Sequence, residues 1–349
     1  MPDRAAGATE PLELTPGVFS TSGLPAARRV ELWESHNAAA LIGLTVRAPD
    51  SLDAAELNVR LPRARLARVT GTAHAVERSR DLILRTPADS VVVFLTLRGE
   101  ARFAADGGTL ERRPGDALAW ETDRPFTRTF ARGLEELVVT VPWAELTARS
   151  EASGLPDPVI MSFGPPPGGA SAGSGRHNRS SAKSGPPDRH APTSARIGRP
   201  DQYARALARI AARATRAERP LRPDEPTVLD LVAAIAAGPR TAPATAHRAA
   251  ARSYIEECLT DPNLGAAEVA AAAGLSERQL SRLFAADGGS VPRHILARRL
   301  ELAYAILSAP LPPTVADAAA ASGFTSATYF SHAFRQRFGH RASDLKSLK

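Results

Sequence analysis

The sequence predicts an α+β multidomain chain. Its N-terminal half reads as a β-sandwich or small barrel, and its C-terminal part as an all-α domain with two helix-turn-helix motifs joined by a helix. Three observations carry this. Short β-branched and alternating runs, separated by Gly, Pro and Asp, fill residues 90–141. A segment dominated by Pro, Gly, Ser and Arg follows at 161–200. Beyond it, apolar residues recur at helical spacing and one pattern occurs twice. The length of 349 residues leaves room for two ordinary domains or three small ones. A hydrophobic share of 43% with 23% charged residues excludes a mostly disordered chain.

The elements follow in order. Residues 1–26 lack apolar pattern and are expected to be disordered, and 27–160 to form the β unit. Within it, Val30, Leu32, Trp33 and the Ala38-Ala39-Ala40 run favour a helix over 27–48. Residues 90–97 (SVVVFLTL) read as a strand of the buried type, and Arg98-Gly99-Glu100 interrupts it. Short strands are expected at 101–103, 109–112, 117–120, 126–130 and 137–141. Asp106-Gly107-Gly108 should make a tight hairpin. The 161–200 segment has almost nothing to bury, so it reads as a flexible linker. Arg176, Arg179, Lys183, Arg189, Arg196 and Arg199 stand there against Asp188 alone. Five of the seven net positive charges therefore lie in that one segment, and net charge says little about the folded parts. Helices are expected over 201–219 and from Pro226 to the Gly238-Pro239 stop. Their apolar stripes suggest a dimerising region at 201–240 and hence a homodimer. The rest, 246–349, reads as short helices.

Several function classes are excluded or disfavoured. One cysteine, Cys258, rules out an internal disulfide and a four-Cys zinc site. It lies on a predicted helix beside Glu256 and Glu257, which suits a small apolar residue rather than a reactive thiol. The N-terminus has no apolar signal core, and the runs at 91–97 and 229–238 are too short to cross a bilayer, so a cytoplasmic protein without membrane contact is expected. His36 and His74 stand far apart without an HxH pair, so no metal and no cofactor are expected in the β unit. Trp120 and Trp143 read as core residues, with stacking on an aromatic ligand as the alternative.

The duplicated pattern carries the function. The first copy runs from Val269 to Phe284 and the second from Ala318 to Phe334, with motifs near 266–286 and 315–338. Small Ala270 and Ala319 let two helices approach. Gly274 and Gly323 follow four residues later, where the turn needs positive φ. Leu275 or Phe324 plugs the turn, and Ser276 or Thr325 caps the next helix. The copies differ by one residue, placed early in the second helix of the second copy. Leu280, Leu283 and Phe284 face inward in the first copy, and Phe330, Ala333 and Phe334 in the second. The outward set is Ser276, Glu277, Arg278, Gln279, Ser281 and Arg282, then Thr325, Ser326, Thr328, Ser331, His332 and Arg335. Short polar and Arg side chains at helix N-termini suit base edges and phosphates of double-stranded DNA. A helix over 293–307, about 22 Å long, would hold the two units one duplex turn apart.

Residues 250–349 resemble the DNA-binding domain of the AraC/XylS transcriptional regulators. The matching residues are Ala270, Gly274-Leu275-Ser276, Leu280 to Phe284, Arg299-Leu300, Ala303, Leu307, Gly323-Phe324, Tyr329-Phe330-Ser331, Phe334-Arg335 and Phe338-Gly339. Ala318, Ala342 and Leu345-Lys346 depart from the family pattern and thin the packing of the second unit. RRVELW (28–33), LRGEARF (97–103), RPGDALAWETDRPF (113–126) and LVVTVP (137–142) resemble the cupin-like sensor domain of a subset of these regulators. The resemblance implies a sequence-specific DNA-binding regulator with a small-molecule effector, and RNA polymerase as a partner if it activates. It does not identify the effector-binding residues. The competing readings are a cupin-class enzyme or binding protein, disfavoured by the missing HxH pair, and a DNA-repair protein with a nucleophilic Cys, disfavoured by the setting of Cys258.

Overall fold

The computed structural model describes residues 17–48, 51–105, 108–149, 155, 158–164, 201–216, 223–237, 244–309 and 313–346. The linker at 165–200, the turn residues 106–107 and the Pro-containing 238–243 lie outside them.

Two antiparallel sheets form the N-terminal domain. The larger has the order β1 (Gly17–Ser20), β3 (Ala54–Arg60), β4 (Arg65–Gly71), β11 (Leu134–Pro142), β6 (Ser90–Gly99), β9 (Asp116–Glu121), β12 (Val159–Ser162). The smaller runs β2 (Thr45–Arg47), β5 (His74–Arg78), β10 (Phe126–Phe130), β7 (Ala101–Ala105), β8 (Gly108–Arg112). Val92, Phe94, Trp120, Phe126, Phe130 and Val138 fill the space between them, with Trp33 of α1 (Ala26–Ala40) joining that core, and two short helices, α2 (Arg80–Arg85) and α3 (Trp143–Thr147), follow β5 and β11. Trp120 is 2% exposed and donates its indole N–H to Arg124 O.

The unbroken apolar run of β6 has a physical cause. Val92 and Phe94 point between the sheets, while Val91, Val93 and Leu95 point to the opposite face. That outer face is covered by α4 (Gln202–Ala214) and α5 (Glu225–Ala237). A strand buried on both sides needs no polar alternation. On α5 every residue from Val228 to Ile235 is buried, including Asp230, which pairs with Arg149.

The structure corrects several expectations. Residues 17–20 are not disordered but pair with β3, and the Thr21 hydroxyl donates to Leu52 O in the interior. The helix expected over 27–48 ends at Ala40, and Thr45–Arg47 is a strand. The strand β12 carries the β unit past residue 160, and Phe163 is 1% exposed, so 161–164 are not linker. Most consequentially, the apolar stripes at 201–238 are no free dimer surface. Tyr203, Leu207, Ala211, Leu229 and Val232 are spent inside the chain, against the larger sheet and each other. The argument for a homodimer through those helices falls with them.

Helix α6 (Ala244–Glu257) links the two halves. Ala246, Ala249 and Ala250 join the core of α4, α5 and the sheet, whereas Ala251 and Ile255 join the first helix-turn-helix core. The C-terminal part continues with α7 (Ala266–Ala272), α8 (Glu277–Ala285), α9 (Val291–Leu307), α10 (Val315–Ala321) and α11 (Ala327–Phe338). Ile295 of α9 packs in the first unit, while Leu300, Ala303 and Leu307 pack in the second. One helix of 17 residues, about 25 Å long, therefore supports both.

Candidate nucleic-acid interface

The two units share a turn geometry that their sequences dictate. Leu275 N–H donates to Ala270 O at 2.9 Å, and Phe324 N–H donates to Ala319 O at 3.0 Å. Gly274 adopts φ +65° and Gly323 φ +82°, the left-handed region that side chains avoid. A Cβ on Gly323 would also stand 2.9 Å from Leu259 O, so the second turn has no space for one. Ala270 and Ala319 are buried, which allows the close approach of α7 to α8 and of α10 to α11.

The helix starts differ in detail. Ser276 caps α8, with its hydroxyl accepting from Gln279 N–H and the Gln279 side chain accepting from Ser276 N–H at 2.9 Å. On α11 the cap is Ser326, which accepts from Tyr329 N–H, not Thr325 as expected. The extra residue of the second copy therefore sits in the turn rather than in the helix. Ser276, Gln279 and Ser326 are thus fixed by capping, and the Ser331 hydroxyl donates to Ala327 O.

Leu280 and Phe284 anchor α8, and Phe330, Ala333 and Phe334 anchor α11. Every outward residue expected from the sequence is exposed: Ser276, Glu277, Arg278, Gln279, Ser281 and Arg282 on the first unit, and Thr325, Ser326, Thr328, Ser331, His332 and Arg335 on the second. Tyr329, 54% exposed on the first turn of α11, belongs with them. The outward set expected from the sequence did not include it.

Charge pairing separates these faces from the rest. Arg248 and Arg252 pair with Asp287, Arg213 and Arg298 with Glu256, and Arg337 with Glu301. Among the described residues, no carboxylate pairs with Arg278, Arg282 or Arg335. Arg278 and Arg282 stand four residues apart on one helix face; Arg278 is in the first turn, where backbone N–H groups also favour anions, and Arg282 is in the last turn.

The β domain reaches this region at defined points. Gln202, the first residue of α4, lies against Gly274 of the first turn. Tyr203 and His247 are within hydrogen-bond range at 3.0 Å, and His247 also bonds the Ala273 backbone. Burial lowers the His247 pKa. Glu256 of α6 accepts from Arg298 Nε at 2.6 Å and from Arg213 at 3.3 Å. Arg298 also pairs with Glu301, which pairs in turn with Arg337 of α11. Burial raises the Glu256 pKa, but the two arginines outweigh it and hold the carboxyl below its usual range.

A two-sheet β domain is thus joined through α6 to two helix-turn-helix units that share a central helix. The AraC-binding-like domain family matches residues 40–264, and a helix-turn-helix domain family matches 269–347. The chain belongs to the AraC family of transcriptional regulators. It is 32% identical over 101 residues to the transcriptional activator RhrA of Rhizobium meliloti (strain 1021), a match covering 29% of this chain and 32% of RhrA. It is 37% identical over 86 residues to the transcriptional activator NphR of a Rhodococcus species, covering 24% of this chain and 25% of NphR. The chain thus spans about a third and a quarter of these curated relatives. Among solved structures, the AraC-like transcriptional activator CuxR matches over 88% of this chain and all of its own, at 19% identity and a TM-score of 0.45.

Proposed function

We propose that this chain regulates transcription by sequence-specific binding of double-stranded DNA, with α8 and α11 entering successive major grooves from one side. The carrying observation is the pair of exposed faces whose arginines pair with no carboxylate among the described residues. Arg278, Arg282 and Arg335 supply base or phosphate contacts. Glu277 accepts from a cytosine amino group or repels wrong sequences, and Ser281, Thr328, Ser331, His332 and Tyr329 complete the contact set. Ser276, Gln279, Thr325 and Ser326 set the helix starts against the backbone. The chain divides into a sensor unit, residues 17–164 with 201–237, and a DNA-binding unit from 244 onward. The chemistry is binding, not catalysis, and a small-molecule effector acts on the sensor unit. The protein works in the cytoplasm and, as an activator, would meet RNA polymerase. Genomic binding-site selection followed by gel shift on the recovered sequence tests this. Equal retention of selected and scrambled DNA would refute it.

A further inference from the structure

The helices α8 and α11 match in construction but not in chemistry. Their caps and anchors correspond one for one: Ser276 with Ser326, Leu280 with Phe330, and Phe284 with Phe334. The same correspondence sets Glu277, Arg278 and Gln279, the first turn of α8, against Ala327, Thr328 and Tyr329, the first turn of α11. All six are exposed. The N-terminal residues of a recognition helix are the ones that reach base edges.

The first turn of α8 suits G·C pairs. Arg278 lies opposite the Leu280 and Phe284 anchors. Neither Arg278 nor Glu277 has an ion-pair partner among the described residues. A guanidinium donates two bonds to guanine O6 and N7, and a carboxylate accepts from the cytosine amino group. Reading adenine on this turn would fall to Gln279, which would have to accept from N6 while donating to N7. Its side-chain oxygen is already spent: Oε1 accepts from both the backbone N–H and the hydroxyl of Ser276, each at 2.9 Å. The cap thereby takes the adenine-reading amide of α8 out of play.

The first turn of α11 suits A·T pairs. It carries no charge and offers the methyl groups of Ala327 and Thr328 and the Tyr329 ring, which is 54% exposed. Apolar groups in the major groove match the thymine methyl. One turn on, the Ser331 hydroxyl donates to Ala327 O at 2.9 Å. It therefore meets DNA as an acceptor, the complement of the adenine amino group. Thymine methyl and adenine amino group are two major-groove marks of one base pair. The arginines of α11, Arg335 and Arg337, stand in its last turn.

We infer that the two half-contacts differ in base composition: α8 selects G·C pairs through Arg278 and Glu277, and α11 selects A·T pairs through the thymine methyl. The inference rests on the regulator reading above and specifies which sequence that regulator takes. Such a site differs from one end to the other, so it holds a single chain in one direction along the duplex.

Selection of binding sites from random duplexes by the full chain, followed by gel shift with base analogues, tests it. The half whose preference relaxes in Arg278→Ala marks the position of α8, and it should be the G·C half. There, 7-deazaguanine lacks the N7 acceptor and should weaken binding by about five- to tenfold. In the other half, deoxyuridine in place of thymidine removes only the methyl and should weaken binding by about two- to fourfold per contacted base. Each analogue placed in the opposite half should leave affinity unchanged. Both analogue series use the wild-type chain, so they do not depend on how a variant folds. Halves of equal composition, the reverse assignment, or indifference to deoxyuridine in the α11 half overturns the inference. So does an Arg278→Ala loss that is equal on selected and random duplexes, which marks a phosphate contact. A selected site without the asymmetry leaves the regulator reading standing, whereas enrichment of no sequence defeats that reading itself.

Discussion

Replacing Glu256 by Gln should weaken the joint between sensor and DNA-binding units. Among the described residues, Glu256 is the carboxylate that meets arginines from both sides: Arg213 of α4 and Arg298 of α9. Its side chain is 14% exposed, whereas Arg298 and Arg213 are 38% and 40% exposed. A charge-assisted hydrogen bond is worth about 1.5–3 kcal/mol, and Arg298 makes two to this carboxylate. The exposure of both arginines lets solvent screen much of this, so the discounted cost is about 2 kcal/mol. In a chain of 349 residues that corresponds to a Tm loss of about 3 °C. The sign with pH follows from the depressed Glu256 pKa. The contribution is fully present above the ordinary carboxylate pKa and is lost as pH falls through the lower folded value. Melting curves of wild type and Glu256→Gln should therefore converge at acid pH. A double-mutant cycle with Arg298→Ala isolates the pair. A Tm within 1 °C of wild type at neutral pH, or a coupling below about 0.5 kcal/mol, would refute the reasoning.

Arg278→Ala should cost about 1–3 kcal/mol on the preferred site and less on random DNA, measured by gel shift. Arg335→Ala should cost less, because the second unit is packed with Ala318 and Ala342; the reverse order would overturn that ranking. Gly323→Ala should destabilise more than Gly274→Ala: both enter the left-handed region at about 1–2 kcal/mol. At 323 the new methyl meets backbone Leu259 O, whereas at 274 it meets the flexible end of Gln202. Equal melting temperatures would contradict this. His74, His247 and His294 all have pKa values lowered by burial. Their contribution is present above the ordinary imidazole pKa of about 6.5 and lost below it. Tm should accordingly fall as pH drops from 7 towards 5, and a Tm flat across that window would count against the lowered pKa values of the three rings.

What the sequence discloses depends on where burial is local. The duplicated turn was legible because its requirements lie within a few residues: a small Ala, a left-handed Gly, a cap and an apolar pair. Strand β6 was legible because double burial leaves no polar residue in its run. The strands β3 to β5 were not. On β5 the inward residues are His74, Val76 and Arg78, and the Arg78 side chain donates to Thr122 O, Gly43 O and Thr86 O and pairs with Asp123. Glu56 does the same to β3 and Arg128 to β10. Charged side chains at inward positions erase the alternation that marks a half-buried strand. The helices at 201–238 were legible as helices, but an apolar stripe does not name its partner, and here the partner is a sheet more than sixty residues earlier in the chain.

That misplaced stripe changes how a signal would travel. Had α4 and α5 been a free dimer surface, the DNA-binding unit would hang from the Pro-containing stretch before α6. Instead α4 touches the first helix-turn-helix at its turn, through Gln202 against Gly274 and through Tyr203 and His247 to the Ala273 backbone. Among the described residues, the second unit is reached through α9, by the chain Glu256, Arg298, Glu301 and Arg337. A close-packed turn without a Cβ transmits small displacements, while exposed ion pairs on long side chains absorb them. Under the proposed regulator reading, a rearrangement of the sheet under α4 would therefore reach α8 before α11, which would follow only as far as α9 moves. An effector with different affinity for two arrangements of the sheet would then change the angle between the two helices without unfolding either unit.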